Sequence, residues 1–298
     1  MSDGTPDFAS PSSRPKPVGH IVSWFVRLGP RSLAILFLVI VVAAVVFAPV
    51  LVPHDPFAQD LLNSRRPPVW LGGDWSHPLG TDAFGRDMVS RLIWGGRVSM
   101  FVALIAATIS MVTGTALGLL AGYFEGRFGA FILAIADVKF SLPFYVVAVS
   151  MAATIGPGMN NLIALLAVWG WPNYTRTVAV VASQTRRLDY VAASRMQGAG
   201  TTRLILTHIL PRCLSVVVII WSGMVGSYIL VESALSFVGL GVQVPTFSWG
   251  SMLSSAQSEL RTAWWIAIFP GVVLTTVIIS VFLTGDLLRD HLDPSAKR

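Results

Sequence analysis

The sequence predicts an all-α protein that crosses a lipid bilayer six times. Of its 298 residues, 54% are hydrophobic and only 12% are charged. An average soluble domain carries about twice that charged share, so this chain cannot cover a water-facing surface. Its apolar residues gather into six long runs, near 32–52, 100–122, 128–152, 162–182, 214–235 and 262–285. At about 1.5 Å per residue, runs of this length reach across a hydrocarbon core about 30 Å thick. The net charge of +6 invites comparison with nucleic-acid-binding proteins. However, lysine occurs only at Lys16, Lys139 and Lys297, and the arginines are scattered among loops, so no basic binding face is expected. The single cysteine, Cys213, excludes an intrachain disulfide and a cysteine metal cluster.

Residues 1–31 open with Pro6, Pro11, Pro15 and Pro17 and are expected to be partly disordered. Arg27 and Arg31 flank the first run, 32–52, which carries no charge and is expected to be an uncleaved span. The interval 53–97 is broken early by Pro67-Pro68 and Gly72-Gly73. Later in it, Phe84, Met88, Val89, Leu92 and Ile93 recur at helical spacing opposite Arg86, Asp87, Ser90 and Arg91. That pattern suits a helix lying in the membrane interface, or one packed on neighbouring spans.

Five further spans are expected within 98–288. In the second, Gly114, Gly118 and Gly122 share one helix face and permit close helix packing. The third contains Asp137 and Lys139. An intramembrane ion is costly, and residues two apart on a helix do not face each other. At least one of the pair therefore needs a partner on another helix or access to a polar pathway. Pro143 is expected to kink that span. Trp169, Trp171, Pro172 and Tyr174 fall mid-way along the fourth, and Glu232 closes the fifth. Residues 289–298 form a short tail.

Between the fourth and fifth spans lies 183–213, a polar interval with Arg186, Arg187, Arg195, Arg203 and Arg212. Asp189 is placed to cap a short helix, and Gly198 and Gly200 to stop it. Thr201 is placed to cap a second helix that Pro211 would end. The expected unit is helix–turn–helix held between two spans.

This interval resembles the EAA loop of ABC-importer permeases, in which Glu-Ala-Ala, three residues, Gly, then Ile-x-Leu-Pro mark the segment that docks on an ATPase. Asp189, Tyr190, Ala192, Ala193, Arg195, Gly198, Leu210 and Pro211 carry the match. Ala192 stands where the family often has Glu, and His208 where Ile is usual. A Glu there would complete a capping box after Asp189, so the helix start should be weaker by roughly 0.5–1 kcal/mol.

Three other segments are similar to the peptide and nickel importer permeases. They are Pro78-Leu79-Gly80-Thr81-Asp82 with Gly85-Arg86-Asp87, the run Ser236–Gly250, and Gly285-Asp286-Leu287-Leu288-Arg289-Asp290-His291-Leu292-Asp293-Pro294. The resemblance, to the dipeptide and oligopeptide C-type permeases, implies a type I ABC importer permease fold. It also implies a second, B-type permease subunit, two ATP-binding subunits and an extracytoplasmic substrate-binding protein. Transport would proceed by alternating access, with short peptides as cargo and nickel or glutathione-type cargo as the alternatives.

The Lys/Arg bias places both termini and 183–213 in the cytoplasm of a bacterial or archaeal plasma membrane. A Walker A motif needs Gly-Lys, and none of the three lysines follows glycine. ATP and Mg are therefore expected on partner subunits, and no cofactor on this chain. No Gly-x-Ser-x-Gly or His-Glu-x-x-His occurs, so no enzymatic activity is expected. The five histidines lie too far apart in sequence to suggest a local metal site. An ion-coupled secondary transporter, using Asp137 and Glu232 as relays, is the competing class. It leaves the helix–turn–helix without a task.

Overall fold

The computed structural model describes residues 29–292. The tail expected over 1–31 thus lies outside the described residues except for its last three, and the tail over 289–298 except for its first four. Among the described residues every regular element is helical, and one isolated β-bridge joins Thr81 to Asp87. The helices are α1 (Pro30–Val46), α2 (Ala48–Leu51), α3 (Met88–Phe124), α4 (Gly126–Ser141), α5 (Phe144–Thr154), α6 (Met159–Arg186), α7 (Asp189–Met196), α8 (Thr201–Leu204), α9 (Leu210–Phe237), α10 (Trp249–Ser255) and α11 (Trp265–Leu292).

The six apolar runs appear as α1, α3, the α4–α5 pair, α6, the continuous rod 201–237 and α11. Three of these, α3, the rod and α11, are long and apolar enough to cross a membrane by length and composition alone, and the bent α4–α5 pair makes a fourth. α1 is apolar but short, at 17 residues. α6 has the length, at 28 residues, but carries Asn160, Asn161, Asn173, Arg176, Gln184 and Arg186, which lower its hydropathy.

Helix α3 is the spine. Asp87 caps it, its carboxylate accepting from the Ser90 N–H at 2.8 Å. It then runs 37 residues without a break, about 55 Å at ~1.5 Å per residue. The periodic stretch around Met88–Ile93 is therefore the first part of α3, continuous with the second apolar run, and not a separate helix. Met88 and Leu92 are buried, and Phe84 sits in the preceding turn. The apolar face packs on protein.

The most extensive helix contact is α3 with α6. Glycine makes it possible. A Cβ on Gly114 or Gly122 would strike the backbone oxygens of Trp171 or Ala179, and one on Gly118 would lie 2.7 Å from Val178 Cβ. Polar groups pin α9 to the same seam. Tyr228 of α9 donates to Leu166 O at 2.8 Å and meets Ser110 Oγ at 3.0 Å, while Ser110 donates across the seam to Ala167 O at 2.9 Å. The core lies where α3, α6, α9 and α11 meet, with α1 laid against α11.

Pro143 does more than kink the third run. Leu142 is driven into extended backbone (φ −95°, ψ 130°), as a residue before proline is. α4 and α5 consequently meet at 85°.

At the Met88 end of α3, the segments 53–87 and 236–264 form a folded cap. Arg86 and Arg91 both reach Asp82 Oδ2, at 2.6 and 3.4 Å. Trp265 Nε1 donates to Thr81 O at 3.2 Å, and Trp249 Nε1 to Leu92 O at 2.9 Å. Arg65 grips Glu259 through Nε and Nη2, at 2.6 and 2.9 Å. That hydrogen bond and charge hold the Glu259 carboxyl below its ordinary value and raise Arg65. The motif residues of this region thus serve as internal fastenings.

Candidate coupling loop and intramembrane polar site

At the opposite end of α3 lies the interval 183–213. α6 runs to Arg186, two residues turn the chain, and α7 follows. Leu188 occupies the N-cap position, and Asp189 is the first helical residue, with no side-chain capping bond. This corrects the expected cap. Asp189 acts only as an acidic group in the first turn, favourable to the helix dipole. The position filled by Ala192 is therefore N4, not N3, and a glutamate there could not close a capping box. The weakening expected from Ala192 does not apply.

The end of α7 follows from Gly198. Its N–H donates to Arg195 O at 3.0 Å, and the Ala199 N–H donates to Ser194 O at 3.1 Å. These paired bonds form a Schellman cap, which needs a left-handed residue at Gly198; its φ is +87°. Gly200, not Thr201, then occupies the N-cap of α8, again without a side-chain bond.

Pro211 does not end a helix. Residues Ile205–Ile209 form one wide π turn, in which the Leu210 N–H reaches Ile205 O. Leu210 and Pro211 then form the first turn of α9. A proline ring clashes with the carbonyl four residues back in regular helix. The widened turn moves that carbonyl aside. α8, the turn and α9 therefore make one continuous rod.

Three contacts bind the loop to the bundle. Val191, Leu204 and Ile209 are buried with Cys213 and Val217 of α9 and Tyr174 and Val178 of α6. Arg186 and Arg187 pair with Glu125, at 3.3 and 3.2 Å. The guanidinium carbons of Arg186 and Arg195 lie 5.3 and 5.8 Å from the Tyr123 ring centre. Arg195 thus belongs to an anchor on α3, which its sequence position alone did not reveal. His208, at the departure from the family pattern, meets Ser194 Oγ at 3.3 Å and the edge of Tyr190. Tyr190, Ala192, Ala193 and Met196 remain exposed. Beside them a concavity of about 910 Å³ is lined by Gln184, Leu188, Pro211, Arg212 and Arg289.

The intramembrane ions are also partnered across helices. Asp137 of α4 forms an ion pair with Arg176 of α6. Lys139 points elsewhere, its Nζ 4.6 Å from the Trp169 ring centre and 4.3 Å from that of Phe140. Asp137 and Arg176 face a cavity of about 610 Å³ between α3, α4 and α6, with Glu125 and Ser183 on its wall. Nothing in the local sequence tied Arg176 to Asp137. The fold makes it the missing partner. Glu232 is fully buried, its carboxylate taking hydrogen bonds from Ser236 at 2.7 Å and Ser233 at 3.3 Å. Because Ser236 also accepts from the Val242 N–H, at 3.3 Å, Glu232 fastens the 236–250 segment to α9.

Sequence separation was a poor guide to the histidines. The loop after α2 folds back over the start of α3, which brings His54 and His77 together beside Asp87.

Residues 114–298 match the family of binding-protein-dependent transport system inner membrane components. The chain belongs to that family and is the permease component of an ABC importer. It is 42% identical over 265 residues to the di/tripeptide transport system permease DppC of Pseudomonas aeruginosa, covering 88% of this chain and 87% of that one. It is 36% identical to the glutathione transport system permease GsiD of Pectobacterium atrosepticum, over 92% and 89% of the two chains. Among solved structures, an inward-facing MetNI methionine ABC transporter shares the fold with a TM-score of 0.54 at 16% identity. That match covers 69% of this chain and 98% of the other.

Proposed function

We propose that this chain is one of two permease subunits of a peptide importer, working with a B-type permease, two ATP-binding subunits and an extracytoplasmic binding protein. The carrying observation is the mechanical continuity around α7. This short helix has an exposed face, is rigidly capped by Gly198, and joins α6 on one side and the π-turn rod on the other. An ATPase gripping that face, with ATP and Mg on its own chain, moves two core helices together and rocks the bundle between outward and inward openings. Both termini and α7 lie on the cytoplasmic side in this reading. The cavity at Asp137 and Arg176 is a polar stretch of the pathway wall.

Di- and tripeptides are the proposed cargo, supported by the similarity to the di/tripeptide permease of Pseudomonas aeruginosa. Glutathione, itself a tripeptide, falls in the same chemical class.

The test uses the assembled importer in proteoliposomes, following ATP hydrolysis and dipeptide uptake together. Gly198→Val forces a branched side chain into a left-handed backbone at roughly 1–2 kcal/mol, with no atom within 4 Å to confuse the result. Asn tolerates that backbone better. Gly198→Val and Arg195→Glu should lower uptake per ATP at least tenfold, with Gly198→Asn close to wild type. Wild-type uptake per ATP in both damaging variants would overturn the assignment.

A further inference from the structure

We infer that His54, His77 and Asp87 form a binding site for a divalent transition cation in the cap over the Met88 end of α3. The three offer donor atoms that all lie within 4.8 Å of one another. His77 Nδ1 is 3.0 Å from Asp87 Oδ1, and His54 Nδ1 is 4.0 Å from Asp87 Oδ2. The two imidazole ring centres are 4.7 Å apart. Ligands bonded at about 2.0–2.1 Å in a tetrahedral shell sit roughly 3.3 Å from each other. The observed separations bracket that value, so a cation can be seated by side-chain rotation alone.

The surroundings suit a ligand set. Asp87 is fully buried at its side chain, and its Oδ2 takes hydrogen bonds from the Ser90 N–H at 2.8 Å and hydroxyl at 2.7 Å. Outer bonds of this kind fix a ligating carboxylate. Ser90 Oγ also accepts from the His54 N–H at 3.1 Å, so one residue orients both sides of the site. His54 is 43% exposed and leaves the fourth position open to water. Without a cation, the Nδ1–H of His77 donates to Asp87. On binding, His77 takes its Nε2–H tautomer and turns the Nδ1 lone pair to the metal.

Two imidazoles and one carboxylate select cations of borderline softness such as Zn²⁺ over Mg²⁺ or Ca²⁺, which prefer all-oxygen shells. The ligands come from the segment after α2, from the cap loop and from the N-cap of α3. A cation there staples the first helix and the cap to the spine. This inference stands apart from the transport reading.

The test is titration of the full-length chain, purified in nanodiscs and stripped with chelator, with Co²⁺ as a spectroscopic probe. One Co²⁺ per chain should give saturable visible d–d bands that equimolar Zn²⁺ abolishes and millimolar Mg²⁺ does not. His54→Ala touches a half-exposed ring and should weaken binding at least tenfold, with unchanged circular dichroism. His77→Ala should remove the bands. Absence of saturable bands, or bands of unchanged affinity in His54→Ala, would overturn the site.

Discussion

Ser194 Oγ and His208 Nε2 meet at 3.3 Å, joining α7 to the wide turn that leads into α9. With the edge of Tyr190 on the same imidazole, the contact closes the two arms of the loop on each other. His208→Ala should cost about 1 kcal/mol, the worth of one hydrogen bond. Amide exchange across Asp189–Met196 should then rise roughly fivefold. Unaltered exchange would mean the clasp is idle.

Trp249 seals the cap against α3, 1% exposed and bonded to Leu92 O. Gly96 leaves room for its ring, since a Cβ there would press into it. Trp249→Ala should destabilise the protein by about 3–5 kcal/mol. Trp249→Phe keeps most of the bulk and should cost less than half of that. Thermal unfolding in detergent separates the two.

The Arg65–Glu259 pair makes the cap sensitive to acid. The folded-state value of Glu259 is lowered, chiefly by the Arg65 hydrogen bond, from about 4.3 in an unfolded chain. Its contribution is therefore complete above that unfolded value and is lost as pH falls through the lower folded one. Arg65 is raised further above an already high value and does not titrate in this window. Protection of the amides around 256–262, relative to their intrinsic exchange at each pH, should fall on acidification below about pH 4, and Glu259→Gln should flatten that response. An identical pH profile in the variant would dismiss the pair as the cause.

Asp137 and Arg176 should behave as a coupled pair. Both side chains are about half exposed to the cavity, at 59% and 48%, so the attraction itself is worth only about 0–1 kcal/mol. Leaving one charge alone within the bilayer costs about 2.5–3.5 kcal/mol. Asp137→Ala should therefore be more destabilising than the double variant Asp137→Ala/Arg176→Ala. Additive effects on the unfolding midpoint would refute the coupling.

Composition and the length of the apolar runs were enough to determine an all-α membrane protein, because lipid admits few backbone arrangements and ~20 apolar residues leave little choice. The glycine face at Gly114, Gly118 and Gly122, the stop at Gly198 and the family motifs were equally plain in the chain itself. They depend on local backbone sterics or on residue spacing. Partnerships and caps were decided only in three dimensions. Asp189 lost its capping role because the helix begins one residue earlier than its chemistry suggested, and Pro211 lost its stop because a π turn absorbed its ring. Arg176 found Asp137, Arg195 found Tyr123, and His54 found His77 and Asp87 only once the helices had packed. Such pairings are set by how helices cross and loops fold back, and that geometry is written in no local stretch of sequence.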